Sequence, residues 1–117
     1  MLPMLRQSSS ARVVNMSSNM GSMTLRRELP AEMVPIALAY APSKAFLNAV
    51  TVQYAKELEG TGILVNAGCP GYVATDFTNH LGPRTPEQGA AIAIKLATLP
   101  DDGPNGGFFD DAGVVPW

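Results

Sequence analysis

Three short runs of β-branched and aromatic residues, spaced by helix-sized segments, constrain this chain more than any other feature of it. They are Arg12-Val13-Val14-Asn15, Ile63-Leu64-Val65-Asn66 and Gly107-Phe108-Phe109. Each is followed by turn formers and is short enough to be a buried strand. Between the first two, a helix is expected from residue 40 or 42 to residue 58. Pro42 is tolerated only in its first turn, where the missing N–H costs nothing, and Gly60 offers a left-handed C-terminal cap. A second helix opens at Thr85-Pro86-Glu87-Gln88, a capping box with proline at the first helical position and an acid near the positive end of the dipole. It runs through Ile92, Ile94 and Leu96 until Pro100 stops it, and residues 101–106 form a turn into the last strand. Strand, long connection and helix, strand, helix, strand is the order of an α/β fold with a parallel sheet and right-handed crossovers.

The first helix is apolar on more than one side. Phe46, Leu47, Val50, Tyr54 and Leu58 are accompanied by Ala45, Ala49, Val52 and Ala55, so two covered faces are expected. The stretch 25–38 departs from the alternation. It carries Arg26, Arg27, Glu28 and Glu32 with Pro30 and Pro35, and reads as a surface insertion, either a lid or a tolerated loop.

With 117 residues there is room for one modest domain, 1–117, and an apolar fraction of 46% is enough to build its core. The net charge of −2 argues against nucleic acid or anionic lipid as the main partner. No run reaches the roughly 18 apolar residues of a membrane span. The opening MLPMLRQSSS has too short an apolar run, and no preceding positive charge, for a signal peptide. The single Cys69 cannot form an internal disulfide. A cytoplasmic protein is expected.

Tyr40 and Lys44, four apart at a helix start, share one face one turn from each other. A phenol has a pKa of about 10, and a neighbouring ammonium favours the phenolate. Tyr40 then serves as general acid for carbonyl reduction, or as base for alcohol oxidation. Chance placement explains such a spacing when it stands alone. Here Val13-Val14-Asn15-Met16-Ser17-Ser18 runs a strand directly into two hydroxyls. In an open α/β sheet, that carboxyl end is where ligands bind. Asn66-Ala67-Gly68-Cys69-Pro70-Gly71-Tyr72-Val73-Ala74-Thr75-Asp76 also follows a strand, and Pro70 and Gly71 force a turn that leaves backbone accessible. His80 reads as a solvated loop residue and Cys69 as small filler beside Pro70. Asp101, Asp102, Asp110 and Asp111 read as solvated turn acids. One histidine and one cysteine without suitable spacing give no metal site.

In this order, Asn15-Met16-Ser17-Ser18, Tyr40-Ala41-Pro42-Ser43-Lys44-Ala45, and Asn66 followed by Cys69-Pro70-Gly71-Tyr72-Val73-Ala74-Thr75-Asp76 resemble the short-chain dehydrogenase/reductase family. Gly106-Gly107-Phe108-Phe109-Asp110 and Pro116-Trp117 resemble the chain end of its carbonyl-reductase-like members. The resemblance covers nearly the whole chain. It implies a Rossmann-type, doubly wound parallel sheet of which this chain supplies the C-terminal part, three strands and two main helices. Carried over by position, it implies that Ser18 holds the substrate carbonyl oxygen, with Ser17 as the alternative. Tyr40 delivers the proton, and Lys44 binds the nicotinamide ribose and tunes Tyr40. Pro70, Gly71, Val73 and Thr75 line the nicotinamide pocket, Val73 backbone and Thr75 meeting the carboxamide. The cofactor implied is NADP or NAD, NADP favoured, and the substrate a small carbonyl compound or alcohol. Ser18 and Tyr40 are 22 positions apart, wider than the commonest family spacing, and the 25–38 insertion accounts for the difference.

The family's glycine-rich phosphate loop and upstream catalytic asparagine have no counterpart in these residues. Gly21 lacks the strand, turn and helix that such a loop needs, and Asn15 belongs to the strand before Ser18. In the family sheet order 3-2-1-4-5-6-7 this chain supplies strands five, six and seven. Weak or absent activity is therefore expected of the polypeptide alone. The alternative is a non-catalytic piece that associates through helix 40–58, the helix through which family members often form homodimers.

Overall fold

The computed structural model describes residues 1–33 and 39–117. Along the chain run α1 (Leu2–Leu5), β1 (Arg12–Met16), a 3₁₀ turn (Asn19–Gly21), α2 (Met23–Glu28) and a second 3₁₀ turn (Ala31–Met33). These are followed by α3 (Tyr40–Glu57), β2 (Leu64–Gly68), a third 3₁₀ turn (Asp76–Thr78), α4 (Pro86–Ala97), β3 (Phe108–Asp110) and β4 (Gly113–Val114).

The strands form one sheet in the order β1-β2-β3-β4. β1 and β2 are parallel, with Arg12 opposite Leu64 and Met16 opposite Gly68, and β2 and β3 are parallel as well. The three expected strands are present. A fourth, β4, turns back antiparallel on β3 through a tight hairpin in which the Asp110 carboxylate accepts from the Ala112 and Gly113 amides. Two residues of strand carry no periodic signal, so β4 could not be read from the sequence.

β2 is buried along its whole length, as expected for a central parallel strand. Val65 packs with Ala55 of α3 and with Leu58 at that helix's C-terminal cap, and Leu2 and Leu5 of α1 close that cluster from outside. Gly68 turns the other way, toward Ile92 and Leu96 of α4. Ala67, Cys69 and Phe108 form a second cluster with Val115, and Trp117 stacks on Phe108 at 5.4 Å. The C-terminus is held down by Ser22, whose hydroxyl donates to the Pro116 carbonyl at 2.6 Å while accepting from the Leu25 amide.

β1 is only partly buried, because β2 is its sole strand partner among the described residues. The buried positions of α3 are Ala41, Asn48, Thr51 and Ala55. Phe46 on the same helix is 71% exposed, and Val52 and Tyr54 are more than two-fifths exposed. The expected second cover of this helix is therefore absent from the described residues of the single chain. The expected 25–38 insertion contains the end of α2 and the second 3₁₀ turn, while its positions 34–38 lie outside the described residues. No described helix is long and apolar enough to cross a membrane.

Candidate functional site

The site grows from the register of β1 and β2. Met16 opposite Gly68 brings both strands to their carboxyl ends side by side, and the Ser17 amide extends the ladder to the Gly68 carbonyl at 2.8 Å. Ser17 and Ser18 leave one strand as Cys69 and Pro70 leave the other. The two hydroxyls then part. Ser17 is buried and donates to the Asn48 carboxamide oxygen at 2.5 Å. Ser18 faces a cavity of about 580 Å³ at the sheet edge.

Ser18 caps the 3₁₀ turn that follows, its oxygen accepting from the Met20 amide at 3.2 Å. Accepting uses a lone pair, so the hydroxyl hydrogen remains able to donate into the cavity. The turn lies hard against α3. A Cβ on Gly21 would sit 2.7 Å from the Lys44 carbonyl carbon, so only glycine permits the approach. Asn48 fixes the contact by donating to the Gly21 carbonyl at 3.2 Å. One buried amide thus ties both flanks of Ser18 to the helix.

Tyr40, Lys44 and Asn48 follow one another at four-residue steps along that helix. Tyr40 lines the cavity with Ser18. Lys44 donates from Nζ to the Met16 carbonyl at 2.8 Å, and Nζ lies 5.7 Å from the centroid of the Tyr40 ring. An ammonium has three donors, so this bond does not exhaust it.

The opposite wall is the 70–75 segment. Pro70, Gly71, Val73 and Thr75 all line the cavity, with Cys69 and Tyr72 beside them. Gly71 has a φ of +76°, a conformation open to glycine at no steric cost. Beyond it Val73 bridges to Arg84, and the Ala74 amide donates to the Arg84 carbonyl at 2.8 Å. Thr78 locks the next turn, its Oγ accepting from the Thr75 amide at 3.1 Å and donating to the Val73 carbonyl at 2.5 Å. Of the residues singled out from the sequence, the cavity brings together Ser18, Tyr40, Pro70, Gly71, Val73 and Thr75. Lys44 stands one helical turn behind Tyr40.

Three further residues shape the site and were not singled out. Phe77 also lines the cavity and packs on Tyr40 with ring centroids 5.6 Å apart, yet is 77% exposed. Its position in a polar stretch gives no periodic cue. Asn48 does carry a signal, as a carboxamide in a helix otherwise rich in apolar residues. Arg84, between Pro83 and Thr85, carries no such signal.

Cys69 is buried in the second core cluster as well as touching the cavity. His80 sits in an exposed loop, where its Nε2 lies 2.9 Å from the Asp76 carboxylate. Besides Asp110 in its hairpin, two of the acids expected to be merely solvated form ion pairs. Asp101 pairs with the buried Arg12 at 2.6 Å, and Asp111 pairs with Arg84. No cluster of three or more metal-ligating side chains occurs among the described residues.

The family model for short chain dehydrogenases matches residues 1–86. (-)-Isopiperitenone reductase of Mentha piperita is 35% identical over 93% of this chain and 45% of its own length. Carbonyl reductase [NADPH] 1 of Sus scrofa is 40% identical over 67% of this chain and 29% of its own. Among solved structures, NADPH-bound carbonyl reductase from chicken fatty liver superposes with a TM-score of 0.78 at 29% identity, covering 99% of this chain and 49% of that one. The chain spans about half the length of the relatives it matches most fully. With the strand-end serines, the helix-borne tyrosine and lysine and the matched family model together, the chain belongs to the short-chain dehydrogenase family.

Proposed function

We propose that this chain carries the catalytic edge of an NAD(P)-dependent carbonyl reductase, with Ser18, Tyr40 and Lys44 acting on substrate and Pro70, Gly71, Val73 and Thr75 receiving the nicotinamide end of the cofactor. The observation that carries this assignment is the meeting of Ser18 and Tyr40 with the 70–75 wall in one cavity at the carboxyl edge of a parallel sheet. The cavity suits a flat ring bearing one amide. Its size lies within the roughly 300–1,000 Å³ usual for ligand pockets. Its lining is largely apolar, and its polar side chains include Ser18, Asn19, Tyr40, Tyr72, Thr75 and Thr78. NADP is favoured because the pig relative is named for NADPH and the chicken enzyme holds it.

When bound, the reduced nicotinamide supplies the hydride for the carbonyl carbon. The protein's part is to manage the oxygen. Ser18 offers its hydroxyl hydrogen to the carbonyl oxygen, since its own lone pair is engaged with the Met20 amide. Tyr40 gives its proton to the same oxygen as negative charge develops there. Lys44, anchored at Met16, keeps donors free for the ribose hydroxyls and lends positive charge behind the Tyr40 ring. Met20, Tyr72, Phe77 and Pro86 give the cavity its apolar surfaces, so the substrate is a carbonyl compound with an apolar, ring-sized body.

The exposed face of α3 supports a second element of the proposal, self-association into a homodimer through helix 40–58. Phe46 at 71% exposure is the residue that most favours it.

The catalytic assignment is tested by grafting this chain in place of the matching segment of the chicken carbonyl reductase, whose structure holds NADPH. NADPH oxidation by the graft is then compared with that of its Tyr40→Phe form. Retained turnover that falls about 10²–10⁴-fold on removal of the hydroxyl supports it. Equal turnover in both forms overturns it.

A further inference from the structure

We propose that Arg84 is a positioning residue: it clamps the 70–75 wall of the cavity to the start of α4 and to the β3–β4 hairpin, and so fixes the backbone that faces the cofactor. The second half of this statement rests on the cofactor assignment above. The clamp itself rests on the geometry of Arg84.

Arg84 meets the wall in three ways. Its backbone runs alongside Val73, accepting from the Ala74 amide at 2.8 Å and donating to the Tyr72 carbonyl at 3.4 Å. Its side-chain stem then folds back over Gly71, so closely that a Cβ there would lie 2.7 Å from Arg84 Cδ. The bare face of Gly71 is what lets the stem lie flat on the turn. Finally, the guanidinium is fixed at its far end. Nη2 donates to the Gln88 carbonyl in the first turn of α4 at 2.8 Å and to the Asp111 carboxylate in the hairpin. Both hydrogens of that nitrogen are thereby used.

A surface arginine serving only solubility would leave its head in water. Here Nε is buried and has no hydrogen-bond partner among the described residues. A buried unpaired donor is costly, and its persistence marks a stem whose placement is imposed by the contacts on either side of it. Thr78 ties the far end of the wall at Val73 and Thr75, but at its near end Gly71 has no side chain and Tyr72 is half exposed. Lysine cannot reproduce the arrangement, since a point ammonium lacks the planar fork that reaches Gln88 and Asp111 while leaving the stem over Gly71.

Amide hydrogen exchange on this chain, without cofactor, separates local clamping from general stability. In Arg84→Met the Ala74 and Thr78 amides are expected to exchange about tenfold faster, the loss of a charge-assisted bond. The amides of α3 and β2 keep their rates. Arg84→Lys falls between the two. Unchanged Ala74 exchange, or a uniform rise across the whole chain, overturns the clamp. NADPH is titrated into the same three proteins by cofactor fluorescence. An apparent dissociation constant raised about tenfold in Arg84→Met and partly restored in Arg84→Lys supports the link from clamp to cofactor. A constant equal in all three overturns that link. If the unsubstituted chain alone shows no saturable binding, the same titration is made in the graft; an unsubstituted graft that does not bind NADPH overturns the cofactor assignment, and the exchange rates alone then decide the clamp.

Discussion

Lys44 reaches from α3 to the last carbonyl of β1, its Nζ donating to Met16 at 2.8 Å. Two residues farther along the chain from that carbonyl is Ser18, and one helical turn before Lys44 is Tyr40. The bond therefore ties together the two elements that present the hydroxyls to the cavity, while the ammonium stands 5.7 Å from the Tyr40 ring. Lys44→Met keeps most of the stem and removes both effects. In the graft it is expected to lower turnover at least tenfold and to weaken NADPH binding, with the fold retained by circular dichroism. Unchanged steady-state constants would remove Lys44 from the site.

Asn48 is expected to matter for stability and for Ser18 together. Replacing it by Leu leaves the buried Ser17 hydroxyl and the Gly21 carbonyl without their partner. Stranded polar groups of this kind cost about 1–3 kcal/mol. Urea unfolding of the Asn48→Leu chain measures that loss. If Asn48 only filled space, the midpoint would stay where it is.

Much of this architecture was legible because its signals are local. The Thr85–Gln88 capping box is formed as expected, with the Gln88 amide donating to Thr85 Oγ and the Thr85 amide to Gln88 Oε1. The strand ends were readable from β-branched runs giving way to serine or to Pro70 and Gly71. What could not be read depends on pairing across the chain. Arg12 and Asp101 stand 89 positions apart, and Arg84 and Asp111 are 27 apart. No periodicity links such residues, so charged side chains in turns looked solvated. The helix α2 also escaped notice. Its cap, Ser22, bonds the Leu25 amide locally, but six residues give no apolar period, and Ser22 is also held by Pro116 at the opposite end of the chain.

The Arg12–Asp101 pair predicts a pH dependence of stability. The hydrogen bond from the Arg12 guanidinium, with a smaller one from Ser10, holds the Asp101 carboxyl below its ordinary value of 3.8. A folded-state value below the unfolded one stabilises the fold fully above the unfolded value. The contribution is lost as pH falls through the lower, folded value. Thermal melts between neutral pH and pH 3 are therefore expected to fall less steeply at the acid end in Asp101→Asn than in the parent. Parallel curves for the two proteins would contradict this.

Phe46 provides the test of self-association. Phe46→Glu places a charge at the centre of the exposed face of α3 without touching Asn48 or Thr51 on the buried face. Sedimentation at increasing concentration is expected to show a dimer for the parent and a monomer for the variant. A monomer in both would remove helix 40–58 as an interface.

The most direct test of the central claim is an NADPH titration of the chain followed by backbone amide chemical shifts. Saturable shifts centred on Ser18, Tyr40, Val73 and Thr75, with the far end of α4 unmoved, are the result the site predicts. Saturable shifts centred elsewhere in the folded chain would contradict the assignment of this cavity to the nicotinamide.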